Sequence, residues 1–271
     1  LKRNVMIARF PYQNAEVPDI ADWLVPTVLE MKKDPSIGEI GHCRVDDTPI
    51  TMTRNRVLKQ ALDLGFDHVL MLDSDMRPDL YPAMPGFWKE AWSFARQHQG
   101  PCLIAAPYCG PPPDECVYVF QWTRRQEGNP NPDFHLQLFT REQAALKKGI
   151  EEVAALPTGL ILIDLRVCSR VKPPWFRYEW TDVYEQQKAS TEDVYFTRNC
   201  SLSGIPVYVT WDAWAGHWKR KLVERPTVLT SATISDVMED AILRRRHPER
   251  LEKRTNGPVE PRPTPLIVER L

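Results

Sequence analysis

The feature that most constrains this chain is the run Val69-Leu70-Met71-Leu72, which stops at Asp73-Ser74-Asp75. A strand that is apolar without alternation has no wet face, so it belongs in a sheet covered on both sides, as parallel α/β sheets are. Upstream, residues 53 to 64 carry Val57, Leu58, Ala61, Leu62 and Leu64 at helical spacing, and Gly65 ends the pattern. Helix, glycine, buried strand and acidic cluster together predict a βαβ-type unit. In open α/β sheets ligands bind beyond the carboxyl ends of the strands, which is where Asp73 and Asp75 would stand.

The rest of the chain fits around this unit. Val5 to Phe10 reads as a first buried strand and residues 19 to 33 as an amphipathic helix with Pro26 inside it. Ile37 to Val45 reads as a second strand, 86 to 98 as a helix and Cys102 to Ala106 as a strand. Val153 to Leu165 and Ile205 to Thr210 read as later strands, with a helix over 192 to 202 between them. Between Pro107 and Pro132 the chain turns proline-rich, with Val117 to Trp122 as one strand of an inserted hairpin or lid. Beyond residue 219 a helix near 235–245 and a polar, proline-dotted tail are expected. The predicted organisation is therefore an α/β domain over 1–219, with 107–132 as its insert, and a C-terminal extension over 220–271.

Composition excludes some classes. With 42% hydrophobic residues in 271, the chain can bury a sizeable core, and a formal net charge of −1 makes it no general polyanion binder. No apolar run approaches the ~18–20 residues of a membrane span, and no hydrophobic leader opens the sequence. A cytoplasmic protein without a membrane partner is expected. The six cysteines form no C-x-x-C pair and read as reduced thiols.

Four motifs could carry chemistry. Asp73 and Asp75 repel each other unless a cation lies near, and Mg²⁺ or Mn²⁺ would bridge such carboxylates to diphosphate oxygens; a strand-end turn is the plainer alternative. Thr53-Arg54-Asn55-Arg56 puts cations at a helix start, which suits phosphate; taken alone, a solvated helix face with routine Arg pairs is the plainer reading. Ser190-Thr191-Glu192-Asp193 opens a helix and offers either acidic capping or a general base. Gly216-His217-Trp218 offers an imidazole, an acceptable further ligand for Mn²⁺.

Taken in order, these elements resemble the GT-A glycosyltransferases, in particular the inverting type of bacteria and phages. The pieces are Asn4 to Phe10, Thr53-Arg54-Asn55, Val69 to Asp75, Pro157 to Ile163, Glu192-Asp193, Gly204 to Val209 and Gly216-His217. The resemblance implies a mostly parallel, Rossmann-like sheet flanked by helices. It implies Asp73 and Asp75 on a metal (Mn²⁺ or Mg²⁺) with His217 completing the set. A nucleotide-sugar, UDP-linked rather than GDP-linked, would meet Arg9, Tyr12, Arg54, Asn55, Ser74 and Gly159. Asp193 would be the base, with Glu192 the second candidate. The loop after the first strand, Arg9-Phe10-Pro11-Tyr12, lacks the small residues many relatives have there, and the signature of processive synthases is absent after Asp193, which points to single-sugar transfer. Enzymes of this look include phage enzymes that glycosylate 5-hydroxymethylpyrimidines in DNA. The resemblance thus suggests a hydroxymethylated base in duplex DNA as the acceptor, in a host cytoplasm if the gene is a phage's, and Lys219-Arg220-Lys221, Arg124-Arg125 and Arg244-Arg245-Arg246 are in keeping with it. Protein, lipid-linked or small-molecule glycans are the alternatives. A nucleotidyltransferase and a non-catalytic nucleotide-sugar-binding module are the rival functions, and oligomeric state stays open.

Overall fold

A computed structural model of the chain describes residues 2–12, 15–46, 49–111, 113–124, 134–180, 188–219, 222–223 and 268–270. The first unit is β1 (Arg3–Phe10), α1 (Pro18–Lys33), β2 (Ile37–Arg44), α2 (Ile50–Asp63) and β3 (His68–Asp73). β1 pairs in parallel with both β2 and β3, so the chain steps to one side of β1 and then crosses to the other. That reversal creates a crevice at the carboxyl ends of β1 and β3. The register sets Phe10 beside Asp73 there.

The alternation within β1 explains the two layers. Met6, Ala8 and Phe10 face one core, with Val57, Leu58 and Ala61 of α2. Val5 and Ile7 face the other, with Ile20, Trp23 and Met31 of α1. In α1 the buried positions recur every three to four residues, Pro18 takes the first turn, where its missing N–H is harmless, and Pro26 lies on the exposed side. The same second core receives Trp88 and Trp92 of α3 (Phe87–Gln97).

Among the described residues the central sheet has eight strands. Beyond β3 come β9 (Leu160–Asp164), β5 (Leu103–Ala105), β12 (Val207–Thr210) and β8 (Ile150–Val153), and β15 (Val268–Arg270) lies outside β2. Five of them, β2, β1, β3, β5 and β12, share one direction, whereas β9, β8 and β15 run against it. The expected α/β sheet, mostly parallel and flanked by helices, is present. One expectation needs correction: the apolar run 153–165 is not one strand, since β8 ends at Val153 and β9 begins at Leu160 with Pro157 and Gly159 between them, and both strands run antiparallel to their neighbours.

Smaller pieces complete the description. β4 (Met76–Arg77), β13 (Gly216–Trp218) and β14 (Leu222–Val223) form a three-stranded sheet. β6 (Phe120–Arg124) and β7 (Phe134–Leu138) pair antiparallel; β6 overlaps the expected strand Val117 to Trp122, and β7 lies beyond the 107–132 segment. α4 (Arg141–Leu146), the pair β10 (Glu179–Trp180) and β11 (Lys188–Ser190), and α5 (Glu192–Leu202) follow. The expected 235–245 helix, the bulk of the C-terminal extension, Arg125, Arg220, Lys221 and Arg244–Arg246 lie outside the described residues. No helix among the described residues is long and apolar enough to cross a membrane.

Candidate active site

A cleft of about 620 Å³ opens at the carboxyl ends of β1 and β3. It brings together eight residues singled out from sequence: Tyr12, Arg54, Asp73, Ser74, Asp75, Glu192, Asp193 and His217. The Asp73–Asp75 turn is fixed by backbone. Asp73 donates its N–H to the Gly159 carbonyl (2.9 Å), Val17 donates to Ser74 (2.9 Å), and Trp218 donates to the Asp75 carbonyl (2.7 Å). The third bond joins β13 to the turn and so brings His217 to Asp75.

His217 and Asp75 form one half of the site. His217 Nδ1 lies 2.9 Å from the Cys109 carbonyl, which can only accept, so Nδ1 carries the proton and Nε2 is turned toward Asp75 Oδ2 at 3.3 Å. Lys219 Nζ reaches the same oxygen at 2.6 Å. Burial opposes the charge on Asp75, but His217, when both its ring nitrogens carry protons, and the Lys219 ammonium outweigh it and hold the carboxyl down to about 2; a bound cation would take the place of the Nε2 proton.

Arg54 organises the other half. Its side chain is 3% exposed, and one nitrogen, Nη2, donates to both oxygens of Asp73 (2.7 and 2.8 Å) while Nη1 donates to Glu192 Oε1 (2.7 Å). The guanidinium sits over the rings of Phe10 and Phe176, 5.6 and 5.7 Å from their centroids. Burial opposes its charge, and Asp73 and Glu192 more than offset this, so it is held more firmly protonated than a free arginine. Asp73 and Glu192 are both shifted upward, chiefly by burial, with Arg54 pulling against that shift.

Asp193 follows Glu192 in the first turn of α5. Its Oδ1 accepts from the Thr191 hydroxyl and from the Val194 N–H (2.8 Å). No hydrogen bond falls on Oδ2 among the described residues.

Of the three proposed metal ligands, Asp75 and His217 converge, whereas both oxygens of Asp73 accept from Arg54. Among the described residues no cluster of three or more His, Cys, Asp or Glu side chains could hold a metal ion. Asp75 and His217 still fit a hard divalent cation: a carboxylate oxygen and an imidazole nitrogen converge, and such ions are commonly held by one or two protein groups plus phosphate oxygens and water.

Three sequence candidates lie elsewhere. Arg9 donates to His42 Nε2 (2.7 Å) and Glu16 Oε2 (2.6 Å) and does not line the cleft. Asn55 is used in folding: its Nδ2 donates to the Thr51 and Phe176 carbonyls (both 2.7 Å), and its Oδ1 accepts from the N–H groups of Trp175 (2.8 Å) and Phe176 (3.1 Å). Gly159 is buried behind the turn, where a Cβ would stand 2.8 Å from the Tyr108 hydroxyl and 2.9 Å from Met76 Sδ. Its small size serves packing under the site.

Sequence reasoning missed Glu16 and Tyr108, and it placed Lys219 only in a basic patch. Tyr108 lines the cleft, meets the His217 ring edge-on at 5.0 Å, and is kept neutral by burial and by Asp73 and Asp193. No local motif marks it; its position just after β5, at a carboxyl strand end, is the signal that could have.

No family model and no curated protein matches this sequence. Among solved structures, A197 from STIV is similar at a TM-score of 0.49 and 17% identity, over 84% of this chain and 96% of that one. UDP-glucose pyrophosphorylase complexed with UDP-glucose gives 0.43 and 9%, over 90% and 100%. GalNAc-T7 with UDP, GalNAc and Mn²⁺ gives 0.42 and 10%, over 94% of this chain and 51% of that one. Likenesses this distant carry no argument about activity.

Proposed function

We propose that this chain is a metal-dependent glycosyltransferase that moves one sugar from a nucleotide-sugar to a hydroxyl acceptor with inversion. The observation that carries the proposal is the pairing, in one cleft at the sheet's switch point, of a cation-seeking pair (Asp75 and His217) with a carboxylate at a helix start (Asp193). Mn²⁺ or Mg²⁺ held by Asp75 and His217 would neutralise charge on the departing diphosphate. Lys219 adds a fixed positive charge beside it. Asp193 takes the proton from the acceptor hydroxyl as that oxygen attacks the anomeric carbon and the bond to the diphosphate breaks. Tyr12, 52% exposed at the cleft, offers a ring face to the nucleoside.

The acceptor is proposed as a hydroxyl only. The basic segments that suggest hydroxymethylated DNA lie mostly outside the described residues. The test is a panel of UDP- and GDP-sugars with Mn²⁺, with and without 5-hydroxymethylcytosine duplex DNA. Metal-dependent release of nucleoside diphosphate supports the proposal. Release of pyrophosphate from sugar phosphate and nucleoside triphosphate would make the chain a nucleotidyltransferase, and donor binding without release would make it a binding module. Asp193→Asn is expected to lower transfer by about 10²–10⁴-fold with donor affinity retained; loss of donor affinity would sink the base assignment.

A further inference from the structure

Asp73 terminates β3 and Glu192 begins α5, 119 positions apart in the sequence. They meet because Arg54, from α2, donates to both at 2.7–2.8 Å from inside the protein. The guanidinium fork is what makes this possible: Nη1 serves one carboxylate and Nη2 the other, in one plane. Phe10 and Phe176 flank the guanidinium, which is 3% exposed, while the Asp73 carboxylate it holds still reaches the cleft. Two consequences follow for the carboxylates on either side of Arg54. Glu192 accepts from Arg54 and also from the Tyr178 hydroxyl, whereas Asp193 is held by its own helix start. Arg54 is the side chain that bonds the Asp73 turn and α5 directly to one another; both are also tied to the 156–159 segment, Asp73 through the Gly159 carbonyl and α5 through the Thr197 hydroxyl on Leu156.

We infer that Arg54 is the positioning residue of this site: it ties the donor-side turn at Asp73 to the acceptor-side helix at Glu192 and leaves Asp193 as the free base. The inference rests on the glycosyl-transfer proposal for its kinetic meaning, but not for its geometry. A misplacement of about 1 Å between reacting groups costs on the order of 10²-fold in rate. Arg54 should therefore govern turnover far more than donor affinity, and Glu192 should matter as its anchor.

The experiment is chemical rescue. Arg54→Ala is expected to lose about a hundredfold or more in kcat with donor KM within a few-fold. Low-millimolar guanidinium chloride should restore turnover by about tenfold where equal sodium chloride does not, because only guanidinium reproduces the planar fork. Glu192→Gln should reduce turnover about tenfold, well short of Asp193→Asn. The inference is overturned if Arg54→Ala turns over as the wild type does, if guanidinium fails to restore it, or if Glu192→Gln is as inactive as Asp193→Asn. Should Arg54→Ala not fold, Arg54→Lys keeps the charge without the fork; it is expected to lose turnover similarly, and wild-type turnover would overturn the inference. If the wild type itself turns over no donor, the glycosyl-transfer proposal fails. Arg54 is then judged by melting alone: guanidinium should raise the melting temperature of Arg54→Ala, relative to sodium chloride, and not that of the wild type.

Discussion

His68 opens β3 at 2% exposure, edge-on to Trp92, with neither ring nitrogen hydrogen-bonded. The nearest carboxylate oxygen, on Asp164, is 3.8 Å away. Burial, only partly relieved by the charge of Asp164, brings its pKa down to about 4. The folded protein thus binds this proton less readily than the unfolded chain, whose histidine titrates near 6.5. Stability from this group is complete above about 6.5 and is lost as pH falls from there toward 4, by about 3 kcal/mol. His42 is brought to about 4 as well, by burial and then by Arg9 and Arg44. Urea unfolding at pH 7, 5.5 and 4.5 should show this slope, and His68→Leu should remove about half of it. The cation pair makes a second prediction at this scale. In Mn²⁺ titrations followed by EPR with UDP present, His217→Ala should weaken binding by about 10–100-fold, and Asp73→Asn, whose partner is Arg54, by less. The reverse order would remove the metal from Asp75 and His217.

At the scale of elements, Asn55 shows how a helix residue holds a remote loop. All four of its side-chain bonds go to backbone, three of them to Trp175 and Phe176. Asn55→Ala should cost about 2–3 kcal/mol in urea unfolding, since it strands partly buried backbone groups, without abolishing donor binding. The same residue marks where sequence reading fails. Its neighbour Arg54 and the adjacent acidic strand end were recognisable, because helical spacing over 53–64 and an uninterrupted Val69–Leu72 are local signals. The partners of Arg54 and Asn55 were not, since Glu192 and Phe176 lie more than a hundred positions away and no periodicity encodes them. Strand direction was equally hidden. β9 is as apolar as β3, and burial on both faces gives the same run whether a strand runs parallel or against its neighbours. Pro157 and Gly159, which separate β8 from β9, were read through as one apolar run, whereas the helix start at Glu192 was placed correctly because Ser, Thr and acidic residues precede its apolar positions.

For the whole molecule, the sheet divides the interior into two apolar layers, and five cysteines are buried: Cys43, Cys102, Cys109, Cys168 and Cys200. Burial pushes the thiols of Cys43, Cys102, Cys109 and Cys168 up to about 12, and that of Cys200 higher still. Cys116, in the proline-rich segment, is only half-buried. A thiol must ionise and meet its reagent to react, so in the native protein Cys116 alone should label quickly with a maleimide, and the other five should wait for the fold to open. Mass spectrometry after timed exposure would show one adduct early and five arriving late; early labelling of Cys43 or Cys200 would contradict the layered core. Because Cys43 lies on β2, Cys168 beside β9 and Cys200 on α5, their adducts form a clock with several hands. Hands that advance together would mean that the molecule opens as one piece, and a hand that runs ahead would name the part that lets go first.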